Sequence, residues 1–339
     1  MDALLTIAIP TYNRPVQLRH TLEVILPQIL GQNRVRLLVL DNHSEVPATQ
    51  ILNDLGVELN EHVSVIRHPF NIGGNANIMR CFELCETEWV WVLSDDDEPR
   101  ANAVQTILDD ATDAHVFAFY TYPEIALPIP ILHGRMTGKT VKELFEAVNY
   151  YITPMTMLSA CIYRMGALRK RLSKGYGCMS SGIPHLAMVF SELEAGGTWL
   201  LSEKTICNYQ PPTREHAWMC YVVFLGLPVA YLSFTQVQNV HSFRRCLQTA
   251  YRSAPEWLLI HFIGGYQIND FFSLQSGYFF KIMKAFYAPS VFSHPFDWMK
   301  WQLTAIASFF PGLFLRAVNW ICRILGRPTP CLGDRARMD

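Results

Sequence analysis

Several signatures of common enzyme classes are absent from this sequence of 339 residues. It has no G-x-G-x-x-G after the first apolar run and no G-x-x-x-x-G-K-[ST], which argues against dinucleotide-dependent redox enzymes and P-loop NTPases. Its nine cysteines include no C-x-x-C pair and no Cys/His spacing typical of zinc sites. An odd number of cysteines without a framework predicts a reduced, cytoplasmic compartment, with Cys81 and Cys85 as core residues.

Charged residues are scarce as well. They make up 17% of the chain against 50% hydrophobic residues, with a mean hydropathy of +0.12. This composition excludes intrinsic disorder and predicts apolar surface in contact with lipid or a partner. The net charge of −1 argues against nucleic-acid binding. The charge is distributed unevenly along the chain. Residues 216–339 contain eleven Lys or Arg and five Asp or Glu, whereas residues 1–215 contain 17 Lys or Arg and 24 Asp or Glu.

The amino terminus lacks the features of a secretory signal. No basic residue precedes the apolar run from Ala3 to Ile9, and the run stops at Pro10. We therefore interpret this run as a first strand rather than a leader.

The first hundred residues alternate apolar runs with amphipathic segments, the pattern of parallel strands joined by crossover helices. The sequence predicts an α/β fold with a mostly parallel sheet flanked by helices, followed by a mainly helical, apolar and basic C-terminal region. Helices are expected after Pro15, from about Asn75 to Leu84, and from Pro99. A further strand is expected from Met155 to Arg164. The first four strands are predicted at 4–9, 35–40, 63–67 and 89–93.

A polar cluster follows each of these four strands. The four clusters have the sequences PTYNR, beginning at Pro10, DNHS, beginning at Asp41, NIGGNAN, beginning at Asn71, and SDDD, beginning at Ser94. Open parallel sheets bind ligands beyond the carboxyl ends of their strands, so we expect the four clusters to converge on one site.

Three consecutive aspartates, Asp95, Asp96 and Asp97, end the fourth strand. Neighbouring carboxylates raise one another's pKa unless a cation neutralises them. A Mg²⁺ or Mn²⁺ ion held by one or two carboxylates, with water and phosphate completing its shell, would do so. The alternative is an acidic turn that caps the following helix.

The second and third clusters also have two interpretations. Asp41 follows its strand where doubly wound folds place an acid against the ribose or base of a nucleotide, but it could equally cap a helix or turn. Gly73 and Gly74 permit close approach of the backbone, and Asn71 and Asn77 offer amides, although such a segment by itself is an ordinary turn.

Taken together and in this order, the four clusters resemble the nucleotide-sugar half of family 2 glycosyltransferases with the GT-A (Rossmann-like) fold. The resemblance spans roughly residues 4–110 and is greatest to bacterial O-antigen sugar transferases of the abequosyltransferase type. It implies that Pro10, Thr11, Tyr12 and Arg14 line the nucleotide pocket, that Asp41 contacts the base, and that the aspartates supply the D-x-D metal ligand. Asp97 belongs to either register of that motif, Asp95 with Asp97 or Asp96 with Asp97. One departure is Ala76, which precedes Asn77 where the family often has arginine.

A second departure concerns the catalytic base. Inverting members carry an aspartate about eleven residues before a glycine of the acceptor half, and counting back from Gly196 reaches His185. Its unperturbed pKa near 6.5 suits a general base. It could equally cap its helix or be a bystander. Glu192 and Glu194, further along the same helix, are expected to face solvent.

The resemblance also implies a role for Arg214 and His216. The family often shows an R-x-H pair at this point, which would bind the pyrophosphate or complete the metal shell, and a guanidinium can hold two phosphate oxygens at once. The alternative is a surface loop.

The last third suggests contact with a membrane. The stretch from Ala217 to Phe234 contains no charge and reaches the length threshold for a bilayer span, although Gly226 and Pro228 weaken that interpretation. The segment from Trp301 to Arg327 mixes aromatic, aliphatic and arginine residues, as in helices lying in the headgroup plane of anionic membranes. We expect a donor half at 1–112, an acceptor half at 113–215 and a membrane-associating region at 216–339.

The sequence thus predicts a metal-dependent, inverting transferase of hexosyl or deoxyhexosyl groups. It would move a sugar from a nucleotide-diphosphate sugar to a hydroxyl of a lipid-linked saccharide, as a peripheral protein on the cytoplasmic face of the inner membrane. One rival is a sugar-phosphate nucleotidyltransferase, although PTYNRP is not the glycine-rich loop such enzymes carry after their first strand. The other is a non-catalytic assembly protein with a degenerate transferase domain.

Overall fold

The computed structural model describes residues 3–111, 115–121, 134–150, 152–208, 234–251, 255, 259 and 284–324. Arg214, His216 and residues 217–233 of the uncharged stretch lie outside these ranges, so the expectations for them are not addressed by the fold.

The first half alternates strands and helices as predicted. Continuous apolar runs form buried strands, and Pro15 occupies the first turn of the first helix. In chain order the elements are β1 (Leu5–Thr11), α1 (Pro15–Ile29), β2 (Val35–Asp41), α2 (Ala48–Asp54), β3 (Val63–Arg67), α3 (Gly74–Glu83), β4 (Trp89–Val92), β5 (Glu98–Pro99) and α4 (Ala103–Asp110).

The second half is less regular. Short 3-10 turns separate several of its elements, among them the turns over Thr153–Thr156 and Leu158–Ala160. The elements are β6 (Phe117–Tyr120), β7 (Arg135–Gly138), α5 (Val141–Ala147), β8 (Cys161–Arg164), α6 (Met165–Leu168), α7 (Leu172–Gly177), α8 (Pro184–Glu194), β9 (Trp199–Ser202), β10 (Cys207–Asn208), α9 (Val237–Tyr251), α10 (Pro295–Ala307) and α11 (Pro311–Ile324).

Eight strands form one mixed sheet in the order β3-β2-β1-β4-β8-β6-β9-β7. β3, β2, β1 and β4 are parallel, β8 lies antiparallel between β4 and β6, and β7 is an antiparallel edge. Helices flank the sheet, which confirms the predicted fold class. The carboxyl ends of β1, β2, β3 and β4 therefore meet at one edge, as the sequence analysis expected.

The register aligns the residues at that edge. Thr11 pairs with Asp41 across β1 and β2, and Asp41 pairs with Arg67 across β2 and β3. One hydrophobic core runs under both halves of the sheet and includes the predicted core cysteines Cys81 and Cys85.

Two boundaries differ from the sequence predictions. Pro99 does not start a helix, because it pairs with Cys207 in a small two-stranded sheet, and α4 begins at Ala103. The run from Met155 to Arg164 is a strand only from Cys161, since two 3-10 turns precede it.

In the described ranges, none of the helices combines the length and hydrophobicity required to cross a bilayer.

Candidate functional site

The first part of the site is the contact between the ends of β1 and β4. The Thr11 hydroxyl donates a 2.7 Å hydrogen bond to Oδ2 of Asp95, and both residues are buried. From α1, the Thr21 hydroxyl donates to the main-chain oxygens of Asp95 and Asp97 at 3.1 and 3.3 Å. The acidic turn is thus held by a strand end on one side and by a helix on the other.

Arg14 bridges two of the three aspartates. Its Nη1 lies 3.1 Å from Oδ1 of Asp95 and 2.5 Å from Oδ2 of Asp96. The Ser94 hydroxyl donates to the other carboxylate oxygen of Asp96. The guanidinium, whose side chain is 46% exposed, partly neutralises the paired carboxylates from within the chain.

The electrostatic position of Asp95 is unusual for a carboxylate. Burial, together with the charge of the adjacent Asp96, raises the pKa of Asp95 to about 6, even though Arg14 and the Thr11 hydroxyl lower it. Keeping Asp95 ionised in this buried position therefore lowers the stability of the folded state, and carboxylates with such raised pKa values are common in functional sites.

Asp41 is fully enclosed at the end of β2. Its Oδ1 accepts the Ser44 N–H at 2.8 Å, and its Oδ2 accepts the Ala48 N–H at 3.2 Å and Nη1 of Arg67 at 2.6 Å. Burial raises the pKa of Asp41, but the hydrogen bonds from Ser44, Ala48 and Arg67 outweigh it and hold the pKa below its ordinary value. Both oxygens are thus engaged by protein donors.

This geometry matches the capping interpretation of Asp41, which the sequence left open beside contact with the base. Arg67, which the sequence analysis missed, is partly exposed and is the side chain that Asp41 orients. Its position as the last residue of β3, level with the polar ends of the neighbouring strands, was the signal that could have identified it.

The third cluster forms a network rather than a simple turn. Asn42 donates to Oδ1 of Asn71 at 2.7 Å and accepts the Ile72 N–H at 2.9 Å. Asn77, which is buried, donates to the Leu40 carbonyl and contacts the ring of His68 through Oδ1. The β2 and α3 ends are thereby joined.

The backbone at the start of α3 turns sharply. Gly73 precedes the helix with a φ of +87°, in the region that favours glycine, and its N–H is accepted by Asn71. Gly74 is the first residue of α3.

The loop after β1 carries the remaining predicted pocket residues. Pro10 lies within β1, and Tyr12, which directly follows this strand, is exposed. Asn13, with a φ of +52°, accepts the N–H of Glu45, and Ser44 accepts the N–H of Asn13. The loops after β1 and β2 are therefore tied together.

His185 has the surroundings of a core residue. It is 1% exposed, its ring lies edge-on to Tyr163, and neither ring nitrogen has a hydrogen-bond partner of good geometry. Burial lowers the pKa of His185 to about 3, opposed in part by the nearby backbone of Met155. It does not cap α8, whose N-cap is Ile183. Of the alternatives left open by the sequence, the geometry favours the bystander, and the base role stays a prediction.

The two glutamates of α8 do not both face solvent, contrary to expectation. Glu192 is buried between Lys170 and Arg171, at 3.0 and 2.8 Å, because those cations compensate its charge. Glu194 is half-buried and accepts the N–H groups of Thr235 and Gln236 just before α9. Both carboxylates have structural partners.

The donor set of the acidic turn fits a divalent metal of the kind that keeps much of its own shell. No group of three or more His, Cys, Asp or Glu side chains converges within the described part of the chain. Asp96 and Asp97 are only partly buried, so one or two hard oxygen ligands could face a metal while water and phosphate supply the rest. The carboxylate oxygens of Asp95 accept hydrogen bonds from Thr11 and Arg14, so Asp95 would stabilise the turn next to the metal.

Comparison with known proteins agrees with this geometry. Residues 6–172 match the family model described as Glycosyl transferase family 2, and they include the four strand ends and the acidic turn. No curated protein sequence gave a significant match.

Solved structures share the fold at low sequence identity. TarS residues 1–349 from S. aureus, in complex with UDP-GlcNAc, superpose with a TM-score of 0.61 at 13% identity over 96% of this chain and 93% of that chain. The mannosyltransferase PcManGT from Pyrobaculum calidifontis, in complex with GDP-Man and Mn²⁺, gives a TM-score of 0.53 at 11% identity over 91% and 88%. The family model thus covers a little under half of the chain, and the solved structures show that the fold is shared.

Proposed function

We propose that this chain, on the strength of its match to glycosyl transferase family 2, moves a sugar from a nucleotide-diphosphate sugar to a hydroxyl of a saccharide acceptor. The observation that carries the proposal is the cluster of Thr11, Arg14, Asp95 and Asp96 at the adjoining ends of β1 and β4, inside the matched segment. We further propose metal dependence, inversion at the sugar carbon and a lipid-linked acceptor of the O-antigen type.

The choice of donor class is supported by the fold relatives. TarS is described with UDP-GlcNAc and PcManGT with GDP-Man and Mn²⁺. By analogy, a nucleotide-diphosphate sugar is the substrate we expect at the carboxyl ends of the parallel strands, with Arg67 and Tyr12 near the nucleoside and the acidic turn near the diphosphate.

In this proposal, Asp96 and Asp97 would hold a Mg²⁺ or Mn²⁺ ion. When bound, such an ion neutralises the charge that develops on the departing diphosphate. Thr11 and Thr21 hold the turn in place, and Arg14, half-exposed beside Asp96, can extend to phosphate oxygens. Arg214 and His216 would add to this binding, as the family resemblance implies.

Inversion in one displacement needs a base to take the proton of the acceptor hydroxyl. His185 was the residue predicted for this role. Because its imidazole is enclosed and its pKa is lowered to about 3, we propose that it fills the core instead, and that another group of the acceptor half accepts the proton.

A screen of UDP-, GDP-, TDP- and CDP-sugars with Mn²⁺ tests the donor proposal. One donor at about a hundred times its dissociation constant should stabilise the fold by about 2.7 kcal/mol, visible as a shift in melting temperature. Asp97→Ala should remove the metal-dependent part of that shift. Asp109→Ala, at an exposed aspartate of α4, is the matched control and should leave it unchanged.

The same preparation separates the rival functions. Release of a nucleoside diphosphate from the stabilising donor in wild type, and not in Asp97→Ala, supports transfer chemistry. Pyrophosphate release from a nucleoside triphosphate and a sugar phosphate would instead establish a nucleotidyltransferase. Absence of stabilisation by every donor would contradict the proposal and favour a non-catalytic protein.

A further inference from the structure

The two C-terminal helices expose an unusual amount of apolar surface. On α10, the side chains that pack inward are Trp301, Thr304 and Ala305, with Ser308 just beyond. The opposite side carries large hydrophobic residues that remain exposed: Phe296, Met299, Leu303, Ile306 and, in the following turn, Phe310. At the ~100° per residue of an α-helix, the four that lie within α10 fall within an arc of about 80°. We call these four residues together with Phe310 the α10 stripe.

α11 repeats the pattern. Leu313, Trp320, Ile321 and Ile324 are exposed along one side of this helix, which contacts α10. Arg316 and Arg323 are also exposed and fall next to this apolar side, on one edge of it.

The turn before α10 adds a further apolar group. Phe292 is 96% exposed, close to the maximum for its type, and the adjacent Val291 is exposed as well. Because almost none of its apolar surface is buried, this phenylalanine contributes no hydrophobic stabilisation to the fold. Monomeric soluble proteins rarely expose a contiguous set of large apolar residues of this size unless the set meets a partner.

Charge identifies the partner. Residues 284–324 contain four Lys or Arg and one Asp, so the apolar side chains sit in a basic setting. A second copy of this chain would bring the same cations against each other, whereas an anionic bilayer satisfies both components. Exposed Trp320 and Trp298 suit the headgroup level, and arginines beside an apolar arc can extend to phosphates while their stems stay in the apolar layer.

We propose that α10, α11 and the turn at Phe292 form a docking surface for an anionic lipid bilayer, with both helices in the membrane plane. The α10 stripe and Phe292 enter the acyl boundary, and Arg316 and Arg323 contact lipid phosphates. These side chains form the docking surface whether or not the chain has transferase activity. It adds to the proposed function the position at which a lipid-linked acceptor would be met.

Flotation of the full-length chain with vesicles tests the docking surface. Wild type should float with phosphatidylcholine and phosphatidylglycerol at about 7:3 and only weakly with phosphatidylcholine alone. Leu303→Gln combined with Ile306→Gln should lower the bound fraction about tenfold, and Phe292→Ser combined with Phe296→Ser should act alike. The matched control is Leu30→Gln with Leu59→Gln, two exposed leucines of the first half, which should bind as wild type does.

A second pair of variants tests the contribution of the basic side chains to vesicle binding. Arg316→Gln with Arg323→Gln should reduce binding to the anionic vesicles to the level seen without phosphatidylglycerol, as should about 1 M salt. Arg19→Gln with Arg34→Gln should have little effect, since Arg34 is exposed and the Arg19 side chain is partly exposed in the first half of the chain.

Three outcomes would overturn the docking surface: no flotation of wild type, unchanged flotation of both apolar variants, or a dimer in sedimentation that the Leu303 and Ile306 changes dissolve without any lipid binding. Donor-induced thermal stabilisation, measured in the same variants, should stay at the wild-type value. If no donor stabilises the wild-type chain, that result counts against the proposed transferase and not against the lipid-docking surface.

Discussion

The Thr11 hydroxyl lies 2.7 Å from a carboxylate oxygen of Asp95, although 84 positions separate the two residues in the chain. The bond joins the ends of two neighbouring strands, β1 and β4. It fixes the first aspartate of the acidic turn so that Asp96 and Asp97 remain at the more accessible edge.

Thr11→Val should weaken metal-dependent donor binding while leaving the fold intact. The change keeps the side-chain shape but removes the only side-chain hydroxyl shown donating to the Asp95 carboxylate in the described structure. Loss of a hydrogen bond to a buried charged group costs about 1–3 kcal/mol, which corresponds to a loss of about fivefold to 150-fold in affinity where the bond supports donor binding. Calorimetric titration of the donor with Mn²⁺ measures it. Thr106→Val, at a buried threonine of α4, is the control, and equal affinities in both variants would contradict the assigned role of Thr11.

Asp95→Asn should stabilise the protein in the absence of donor and metal. The folded-state pKa of Asp95 is raised to about 6 from 3.8, so its ionised form costs the folded state on the order of 3 kcal/mol above that pH. The stability gained by the amide should be complete near pH 8, shrink as pH falls through 6 and vanish near 4. Urea unfolding across this range measures it.

The same variant should lose donor-dependent stabilisation. A gain in stability together with a loss of binding is expected where a fold maintains a costly charge for function. An unchanged unfolding free energy at pH 8 would show that the carboxylate is not held against a penalty. Asp109→Asn, at an exposed acid, should show no pH-dependent gain.

Asp41→Asn should destabilise the fold by about 2–3 kcal/mol at pH 7. The carboxylate accepts two backbone N–H groups and Arg67, and an amide cannot accept on both sides. Because the pKa of Asp41 is lowered in the folded state, its contribution is present above about pH 4 and is lost as pH falls further. Urea midpoints of wild type and variant should therefore differ at pH 7 and converge as the pH falls below 4.

The control for Asp41 is Asp54→Asn. Asp54 pairs with Arg19 at 2.9 Å, but both side chains are exposed, so this pair contributes about 0–1 kcal/mol. Similar losses in the two variants would contradict the capping role of Asp41.

His185→Leu should leave transfer activity within about threefold of wild type and keep or raise stability. The substitution removes two buried ring nitrogens without hydrogen-bond partners and fills a similar volume. Product formation with the identified donor, together with the melting temperature, measures both effects. A folded variant with activity reduced a hundredfold or more would restore His185 as the base.

The parallel half of the fold was predictable because its strands are continuous apolar runs that end at polar clusters. β7 was missed for the opposite reason: Arg135–Gly138 forms an edge strand, three of whose four residues are exposed, so no apolar pattern marks it. α4 was placed too early because Pro99, a good first helical residue, is used instead in pairing with Cys207.

The meeting of the polar strand ends was predictable from the sequence, but the contacts between their side chains were not. Strand ends brought Thr11, Arg14 and Asp95 together as expected, but the bridge from Arg14 to two aspartates depends on side-chain directions that spacing does not determine. The burial of His185 could not be predicted from its spacing to Gly196, because sequence spacing does not determine which side chains pack around a residue.

β8 makes hydrogen bonds to β4 on one side and to β6 on the other. Backbone hydrogen bonding is thus continuous from the parallel strands β3, β2, β1 and β4, through β8, to β6, β9 and β7. A hinge rotation of one half against the other would have to break these ladders. If the proposed transfer takes place at these strand ends, any closure over the substrates would fall to the segments beyond the strands, and the rigid sheet would set the distance between donor and acceptor.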